Sequence, residues 1–168
     1  MKQYLIATPY DVSVQSFQFS SYVEFTEKSS AIANEFGGPI EEFFIEFGDG
    51  FDEELFDECQ ISSENLEQWF YIDTLDASEK IALYFLINCA GSDLDSALQN
   101  LGDANIFEGD YLDAATDLFD EIYLHEIPNH LQNYIDYESF ARDLKYGGDS
   151  IEFEYAGNTY TCTNANSF

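Results

Sequence analysis

The sequence carries an extreme excess of negative charge, and this excess limits what the chain can fold into. It contains 34 Asp or Glu residues against 5 Lys or Arg, so its formal net charge at pH 7 is -29. High charge indicates disorder when apolar residues are scarce, but here 45% of the residues are hydrophobic and 17% are aromatic. We therefore expect a folded chain with a substantial core and a surface that tolerates like-charge repulsion.

The charge balance and the apolar pattern exclude several modes of binding. Five cations are too few to build a basic face that binds nucleic acid directly. The longest apolar run, over 81–89, is interrupted by Asn88 and is shorter than the ~18 residues of a membrane span. The first residues lack the apolar region of a signal peptide, and three widely spaced cysteines are typical of a reducing compartment. The sequence thus predicts a cytoplasmic protein with no direct contact to nucleic acid or membrane.

The alternation of extended and helical patterns predicts an α+β fold with three small subdomains. An N-terminal α+β subdomain covers residues 1–60, and a helical subdomain covers 61–102. A C-terminal α+β subdomain, which ends in a hairpin, covers 103–168. Acidic residues are distributed through all three.

Apolar patterns and turn residues predict the individual elements. In the first subdomain these are strands at 4–7, 17–25 and 42–47, a helix over 28–36 and an acidic loop over 48–54. In the other two they are helices over 62–72, 76–90, 92–102, 110–126 and 136–146, a strand at 105–107 and a hairpin over 151–163. Ser62 or Ser63, Asp76 and Ser92 are the expected N-caps of the first three of these helices. The 81–90 segment is apolar nearly all round, so we expect it to be buried.

Carboxylates are concentrated in two segments that contain no cation. Residues 41–58 hold nine of them, and along 110–126 the acidic residues recur at intervals of three and four and share one helix face. Like charges at that spacing destabilise a helix by about 0.2–0.5 kcal/mol per pair, whereas ordinary surfaces interleave both signs. The candidate phosphate-mimicking residues are Asp49, Asp52, Glu53, Glu54, Asp57, Glu58, Asp110, Asp113, Asp117, Asp120 and Glu121.

Two interpretations of this acidic surface remain open. One is a solvated face that aids solubility, with the opposite face of the 110–126 helix packed inward through Leu112, Ala115, Leu118, Phe119 and Ile122. The other is that the electrostatic field of the acidic surface serves to attract a binding partner. At the charge density of B-DNA, the net charge of -29 would extend over roughly 50 Å, or about 15 base pairs. Such a chain would bind a protein with a basic DNA groove, and electrostatic steering would make association fast.

No pattern of residues indicates catalysis or metal binding. The segment 125–130 superficially matches a zinc-binding H-E-x-x-H site, but its histidines are five residues apart and Pro128 lies between them. Residues 49–58 lack the ordered oxygen spacing of a calcium loop. The sequence has no Gly-rich phosphate loop, nucleophile elbow or C-x-x-C pair. We therefore expect neither an enzyme nor a protein with a cofactor or metal.

The segment 131–144, LQNYIDYESFARDL, resembles the C-terminal motif of the ArdA antirestriction proteins, L-x-N-Y-I-D-Y-x-x-x-x-R-D-L. The matching residues are Leu131, Asn133, Tyr134, Ile135, Asp136, Tyr137, Arg142, Asp143 and Leu144. The order of helices is also similar to this family over about 61–149, including the Asn-Leu-Glu-Gln-Trp segment at 65–69.

The resemblance implies an elongated, curved homodimer whose carboxylates imitate the phosphates of bent DNA. It implies inhibition of type I restriction–modification enzymes, with their specificity and methylase subunits as partners. It also implies a phage or other mobile element that enters a bacterial host.

The motif itself has two interpretations, one structural and one functional. In the structural one, its aromatic and aliphatic side chains form core or dimer packing, Asp136 is a helix N-cap, and Arg142 pairs with Glu138 or Asp143. In the functional one, the motif contacts the target directly.

Alternative functions remain at this stage. A polyanion directed at another basic groove, such as an anti-CRISPR protein or a decoy for a histone-like protein, belongs to the same broad class. An acidic buffer or halophile-type protein without a specific partner is a different class, and the aromatic content of 17% argues against it. An unrecognised hydrolase is a further alternative, although no carboxylate pair is singled out.

Overall fold

The computed structural model describes residues 3–168, and in that range it contains seven α-helices and two three-stranded antiparallel sheets. This composition confirms the predicted α+β class. The chain divides into two compact units, one that ends at Asp76 and one that begins at Ala77. Each unit contains one of the sheets. The finer division into three subdomains stays a prediction.

The first unit is a small sheet with three helices. Its elements are β1 (Tyr4–Pro9), β2 (Phe17–Phe19), α1 (Tyr22–Ala31), β3 (Phe43–Asp49), α2 (Glu53–Glu58) and α3 (Leu66–Asp73). The sheet order is β2-β1-β3, so β1 is the central strand. Leu5 lies opposite both Phe19 and Phe47 and is fully buried, because alternate residues of β1 face the helices.

Aromatic rings form most of the core of the first unit. The ring centroids of Phe19 and Phe25 are 5.1 Å apart, and those of Phe25 and Phe43 are 5.5 Å apart with nearly perpendicular planes. Phe56 of α2 meets Trp69 of α3 edge-on, with 5.1 Å between the centroids. Such pairs bury large apolar areas and favour edge-to-face geometry. They explain how a chain with so much charge still forms a core.

The structure corrects the predicted elements around residue 22. The segment 22–25 is the start of α1 and not a strand, and the predicted helix over 28–36 ends already at Ala31. Ser21 accepts a hydrogen bond from the backbone N–H of Glu24, and Glu24 accepts one from the N–H of Ser20 at 2.8 Å. This reciprocal capping starts a helix despite the strand preference of Tyr22 and Val23. The acidic loop is also shorter than predicted, since α2 begins at Glu53.

The second unit is built around the other sheet. Its elements are α4 (Ala77–Asn88), α5 (Leu94–Gln99), β4 (Ile106–Glu108), α6 (Tyr111–Ile122), α7 (Tyr137–Gly147), β5 (Ile151–Tyr155) and β6 (Asn158–Cys162). The sheet order is β4-β6-β5. The hairpin turns at Ala156 and Gly157, both with positive φ (51° and 77°), one residue earlier than the predicted turn.

Helices cover both faces of this second sheet. Helix α4 packs on one face, where the ring centroids of Tyr84 and Tyr155 are 4.7 Å apart and those of Phe85 and Phe153 are 5.4 Å apart. Leu83 and Leu86 of α4 are fully buried, as its all-round apolar sequence predicts. Glu152 alternates with Phe153 and so points to the opposite face. There it accepts a hydrogen bond from the first N–H of α6 at 3.0 Å.

Several predicted helix ends differ from the structure: α4 ends at Asn88 and not at 90, and α5 ends at Gln99 and not at 102. Helix α3 starts at Leu66, because Asn65 accepts a hydrogen bond from the Ser62 N–H at 2.7 Å and closes a turn ahead of the helix. Helix α5 is capped by Asp93, whose carboxylate accepts from the Ser96 N–H at 3.0 Å, and not by Ser92. Helix α6 ends at Ile122, and a separate 3-10 turn at Leu124–Glu126 precedes Pro128.

Candidate partner-binding surface

The candidate functional features of residues 3–168 lie on the surface. No helix in residues 3–168 is long and apolar enough to cross a membrane. In the same range no group of three or more His, Cys, Asp or Glu side chains is placed to hold a metal ion. The cavities found are open grooves bordered by carboxylates. The surface features that remain as candidates are the two acidic sets and the motif over 131–144.

The first acidic set surrounds α2 and divides into exposed and half-buried members. Glu53, Glu54 and Asp57 are exposed, and the first two lie in the first turn of the helix. Negative side chains are favourable there because backbone N–H groups and the helix dipole carry positive charge. Asp52 is the N-cap, with its carboxylate accepting from the Leu55 N–H at 3.0 Å. Three members of this set thus face solvent, while Asp52 also holds the start of the helix.

The remaining members of this set lie against the body of the first unit. Asp49 ends β3 and is half-buried, as is Glu58 at the end of α2. Burial, followed by the negative charges of Glu58 and Asp52, raises the pKa of the Cys59 thiol to about 12. The negative charges of the acidic set therefore also affect Cys59, a buried residue of this unit.

The second acidic set forms a stripe along α6. Asp113, Asp117 and Glu121 follow one another at intervals of four residues and are all exposed. Residues four apart on an α-helix lie on the same face. We call these three residues the α6 stripe. Asp117 and Glu121 also border a groove of about 490 Å³ that lies between α6 and β4.

The two other members of the second set have structural partners. Asp110 is the N-cap of α6, and its carboxylate accepts from the N–H groups of Leu112 and Asp113 at 2.9 and 3.0 Å. Asp120 is half-buried and accepts the hydroxyl proton of Tyr137 over 2.5 Å. This hydrogen bond is the main cause of a raised pKa for the Tyr137 hydroxyl. The sequence pattern placed both residues with the phosphate mimics because it does not distinguish a solvated carboxylate from a bonded one.

The apolar face of α6 also differs from the prediction. Leu112 and Ile122 are exposed, whereas Ala114 and Ala115 are buried. Phe119 packs on Phe140 of α7, with 5.1 Å between ring centroids. Of the predicted inward residues, Ala115 is buried, Leu118 and Phe119 are half-buried, and Leu112 and Ile122 are exposed, so the buried face of α6 agrees only in part with the prediction.

The first half of the motif is a 3-10 turn, Gln132–Tyr134, that presents its large side chains to solvent. The Gln132 amide donates to the carbonyls of Leu124 and Ile127 at 3.3 and 3.1 Å and so fixes the turn. Tyr134 is 82% exposed, and Leu131 and Asn133 are also exposed. Tyr134 is therefore not part of the core of the single chain, and its place in a dimer interface or a contact with the target stays a prediction.

The second half of the motif is a capped helix. Asp136 is the N-cap of α7, as predicted, and its carboxylate accepts from the Ser139 N–H at 2.9 Å and the Ser139 hydroxyl at 2.7 Å. These hydrogen bonds, hydroxyl first, lower the pKa of Asp136, and the charge of Arg142 adds to the effect. Arg142 donates to the Ser139 hydroxyl at 3.0 Å. It thus supports the cap instead of the expected pair with Glu138 or Asp143.

The other motif residues are placed by the packing of α7. Ile135, Tyr137 and Leu144 are half-buried, and Asp143 is exposed. Tyr137 joins the ring cluster around Phe119, with 5.5 Å between the two centroids. The motif therefore combines a packed half with an exposed half.

Sequence reasoning missed a group of exposed apolar residues in the first unit. Val12 is 100% exposed, Phe36 is 88% exposed and Tyr10 is 66% exposed. Tyr10 and Val12 lie on the loop after β1, beside Asp11 and Ser13, and Phe36 lies on the loop after α1, which carries the turn residues Asn34, Gly37 and Gly38. An apolar residue inside a cluster of turn residues is the signal that would have identified them.

Comparison with known proteins gives one family match. Residues 12–158 match the family model described as antirestriction protein (ArdA). The match covers the α6 stripe, the motif and most of the first unit. No curated protein and no solved structure matches.

Proposed function

Because the chain belongs to the ArdA family of antirestriction proteins, we propose that it inhibits type I restriction–modification enzymes by occupying their DNA-binding groove. In this proposal its exposed carboxylates take the place of DNA phosphates. The chain acts as an inhibitor and catalyses no reaction. Its partners are the subunits of the enzyme that bind DNA, namely the specificity and methylase subunits.

The observation that carries the proposal is the spacing of the α6 stripe. Asp113, Asp117 and Glu121 are exposed at intervals of four residues, so they span about 12 Å along the helix at 1.5 Å per residue. One strand of B-DNA carries one phosphate per ~3.4 Å of axis, so the same length holds roughly three to four phosphates. The charge density of the stripe is therefore close to that of one DNA strand.

Cations do little to neutralise this field. Lys28 lies 2.7 Å from Glu24 and 2.6 Å from the carbonyl of Gln18, within the first unit. Lys145 lies 4.6 Å from the ring centroid of Tyr111. A formal net charge of -29 thus remains to attract a basic groove and to accelerate association.

Competition with DNA tests the proposal. A type I enzyme is bound to a duplex with its recognition sequence, and the protein is titrated in a mobility-shift assay. We expect free duplex to appear together with an enzyme–inhibitor complex. A ternary complex of enzyme, duplex and protein would overturn the mimicry mechanism. A parallel titration against a CRISPR effector complex distinguishes the type I enzyme from this alternative target. If the protein displaces DNA from the CRISPR complex alone, DNA mimicry stands as the mechanism and the type I enzyme is excluded as the target.

We further propose a two-fold homodimer that uses the exposed half of the motif. A dimer doubles the charged span and matches a two-fold target. Tyr134→Ala is expected to shift the molecular mass measured by light scattering from dimer towards monomer and to weaken the dependence of the melting temperature on protein concentration. Tyr146→Ala is the matched control, because Tyr146 is 81% exposed but lies outside the motif. A wild-type chain that is monomeric at micromolar concentration would overturn the dimer.

A further inference from the structure

Phe36 is the most exposed phenylalanine of the described residues, at 88% of its surface. Phenylalanine is among the residues most often buried in folded proteins. A single exposed apolar residue needs no explanation, but contiguous apolar patches with a polar rim mark interaction sites. The question is therefore whether Phe36 stands alone and whether the backbone holds it in place.

The backbone around Phe36 is organised by one side chain. The Asn34 carboxamide oxygen accepts hydrogen bonds from the N–H groups of Phe36 and Gly38, at 3.0 and 2.8 Å. The Asn34 N–H donates to the Gly38 carbonyl at 2.8 Å, and the Gly37 N–H donates to the Asn34 carbonyl at 2.9 Å. A bridge between Ala33 and Pro39 closes the turn. The turn is thus fixed without the Phe36 side chain, which remains available for a partner.

A second loop adds to the same surface. The Tyr10 N–H donates to the Glu42 carbonyl at 3.3 Å, which joins the loop after β1 to the segment that follows the Phe36 turn. A shallow recess of about 290 Å³ is lined by residues of both loops, among them Tyr10, Asn34 and Pro39. Tyr10 and Val12 are 66% and 100% exposed. Phe36 and Val12 lie on the same two loops, beside the residues that line the recess. We call Tyr10, Val12 and Phe36, the three exposed apolar residues of these loops, the loop patch.

Carboxylates surround the loop patch. Asp11, Glu35, Glu41 and Glu42 lie on the same two loops, and all except Asp11 are exposed or nearly so. Between residues 3 and 79 the sequence contains a single cation, Lys28, and its ammonium group is 2.7 Å from Glu24. A partner of this surface must therefore be basic.

The same charges argue against two other occupants. A two-fold contact with a second copy would bring both sets of carboxylates together without a cation between them, and like charges in contact are strongly unfavourable. An anionic membrane surface would be repelled for the same reason. A basic protein surface with an apolar recess is the occupant whose charge and shape complement the patch.

We propose that the loop patch is a second contact with the enzyme of the preceding section, in which Phe36 enters an apolar recess at the border of the basic groove. This inference rests on the proposed function. Aromatic side chains, Phe among them, are enriched in the buried cores of protein interfaces. Contacts between charges weaken as salt is added, whereas burial of an aromatic ring does not. Burial of Phe36 therefore adds affinity for the enzyme that the phosphates of DNA do not supply at this position.

The test compares Phe36→Ala with two control variants over a series of salt concentrations. The dissociation constant is measured with a purified type I restriction–modification enzyme. Phe36→Ala is expected to weaken binding about tenfold or more at every salt concentration, with an unchanged slope of log K against log salt. Glu35→Gln should lower the slope slightly with a small loss of affinity. Val23→Ala, at a 65% exposed apolar residue of α1, should leave both unchanged.

Several results would overturn the inference. A Phe36→Ala variant with wild-type affinity at all salt concentrations excludes a contact at this residue. A change in its light-scattering mass assigns the patch to self-association, and a lower melting temperature assigns it to folding. If the wild-type protein does not displace DNA from the enzyme, the proposed function is wrong, and the inference, which rests on it, is wrong as well. If wild-type protein displaces DNA but Phe36→Ala does so equally well, only the inference fails.

Discussion

Carboxylates that look alike in the sequence differ in their bonding, and this difference decides which of them are available to a partner. Glu24 accepts hydrogen bonds from Lys28 and from both the N–H and the hydroxyl of Ser20. The bond from Lys28, with those from Ser20, lowers the pKa of Glu24 from 4.5 to about 2. Asp113 and Asp117, in contrast, lie exposed on α6.

The low pKa of Glu24 predicts a measurable pH dependence of stability. Because the folded state favours the ionised form, the stabilisation is complete above the unfolded pKa of about 4.5 and is lost as the pH falls towards 2. Glu24→Gln should lower the melting temperature at pH 7, and the gap from wild type should close between pH 5 and pH 2. A gap that stays constant over this range would show that the charge of Glu24 is not the cause.

A second prediction at this scale concerns thiol reactivity. With its pKa raised to about 12 by burial and by two neighbouring carboxylates, Cys59 has almost no thiolate at pH 8, and the thiolate is the reactive form. We expect Cys59 to stay unmodified by Ellman's reagent in the folded protein and to react fully in denaturant. Mass spectrometry of the peptide that contains Cys59 gives the readout. Rapid modification of Cys59 in the native state would contradict the burial of this thiol.

At the scale of elements, α6 separates carboxylates that stabilise the helix from those that oppose it. Asp117→Asn and Glu121→Gln remove a like-charge pair at i and i+4, so this double variant should raise the free energy of unfolding by about 0.2–0.5 kcal/mol. Adding Asp113→Asn should give no further gain, because Asp113 lies in the first turn of α6, where the helix dipole favours a negative charge. The triple variant should also inhibit less well and show a smaller salt dependence of binding, with progressive losses in the single and double variants. Abolition of inhibition by one well-folded single variant would instead indicate a specific contact.

Asp110 provides the matched contrast on the same helix. Because its carboxylate accepts two backbone hydrogen bonds at the helix start, Asp110→Ala should cost about 1 kcal/mol of stability. Asp110→Asn should retain most of it, since Asn is an equally good N-cap. Urea denaturation of both variants measures the difference. If Asp110→Ala and Asp110→Asn are equally stable, Asp110 does not stabilise α6 as an N-cap.

Helices and strands were predicted correctly where the apolar pattern and the capping residues indicated the same element. They were predicted wrongly where the two indicated different elements. Helix α4 and the β5–β6 hairpin follow from apolar periodicity and a Gly turn, and α7 follows from Asp136 and its apolar face. Helix α1 did not, because the aromatic and β-branched residues at 22–25 favour a strand while the Ser21–Glu24 cap favours a helix. The inward face of α6 was predicted only in part because neighbours, not the helix itself, decide which residues are covered.

The candidate site was only partly predictable for a related reason. A sequence shows where carboxylates are, but a hydrogen bond such as that from Tyr137 to Asp120 joins residues 17 apart in the chain and follows from packing. The exposure of Tyr134 and Phe36 likewise depends on turns held by Gln132 and Asn34. Aromatic residues are often buried, so the sequence left core and interface open for Tyr134 and did not single out Phe36.

For the whole molecule, the net charge of -29 predicts a strong effect of salt on folding. Self-repulsion destabilises the compact state, and salt screens it over a length of about 10 Å at 0.1 M. We expect the melting temperature to rise steadily from low salt to about 0.3 M sodium chloride. The triple stripe variant should show a smaller rise, because fewer charges remain to be screened. A melting temperature independent of salt would mean that local pairing already neutralises the surface.

In the proposed function, the division of the chain into two units at Asp76 and Ala77 makes it a bivalent ligand. Each unit has its own sheet and its own acidic set, one around α2 and one along α6. When one set binds, the covalent link holds the other at a high effective concentration near the enzyme, so that two weak attachments yield avidity wherever both can engage at once.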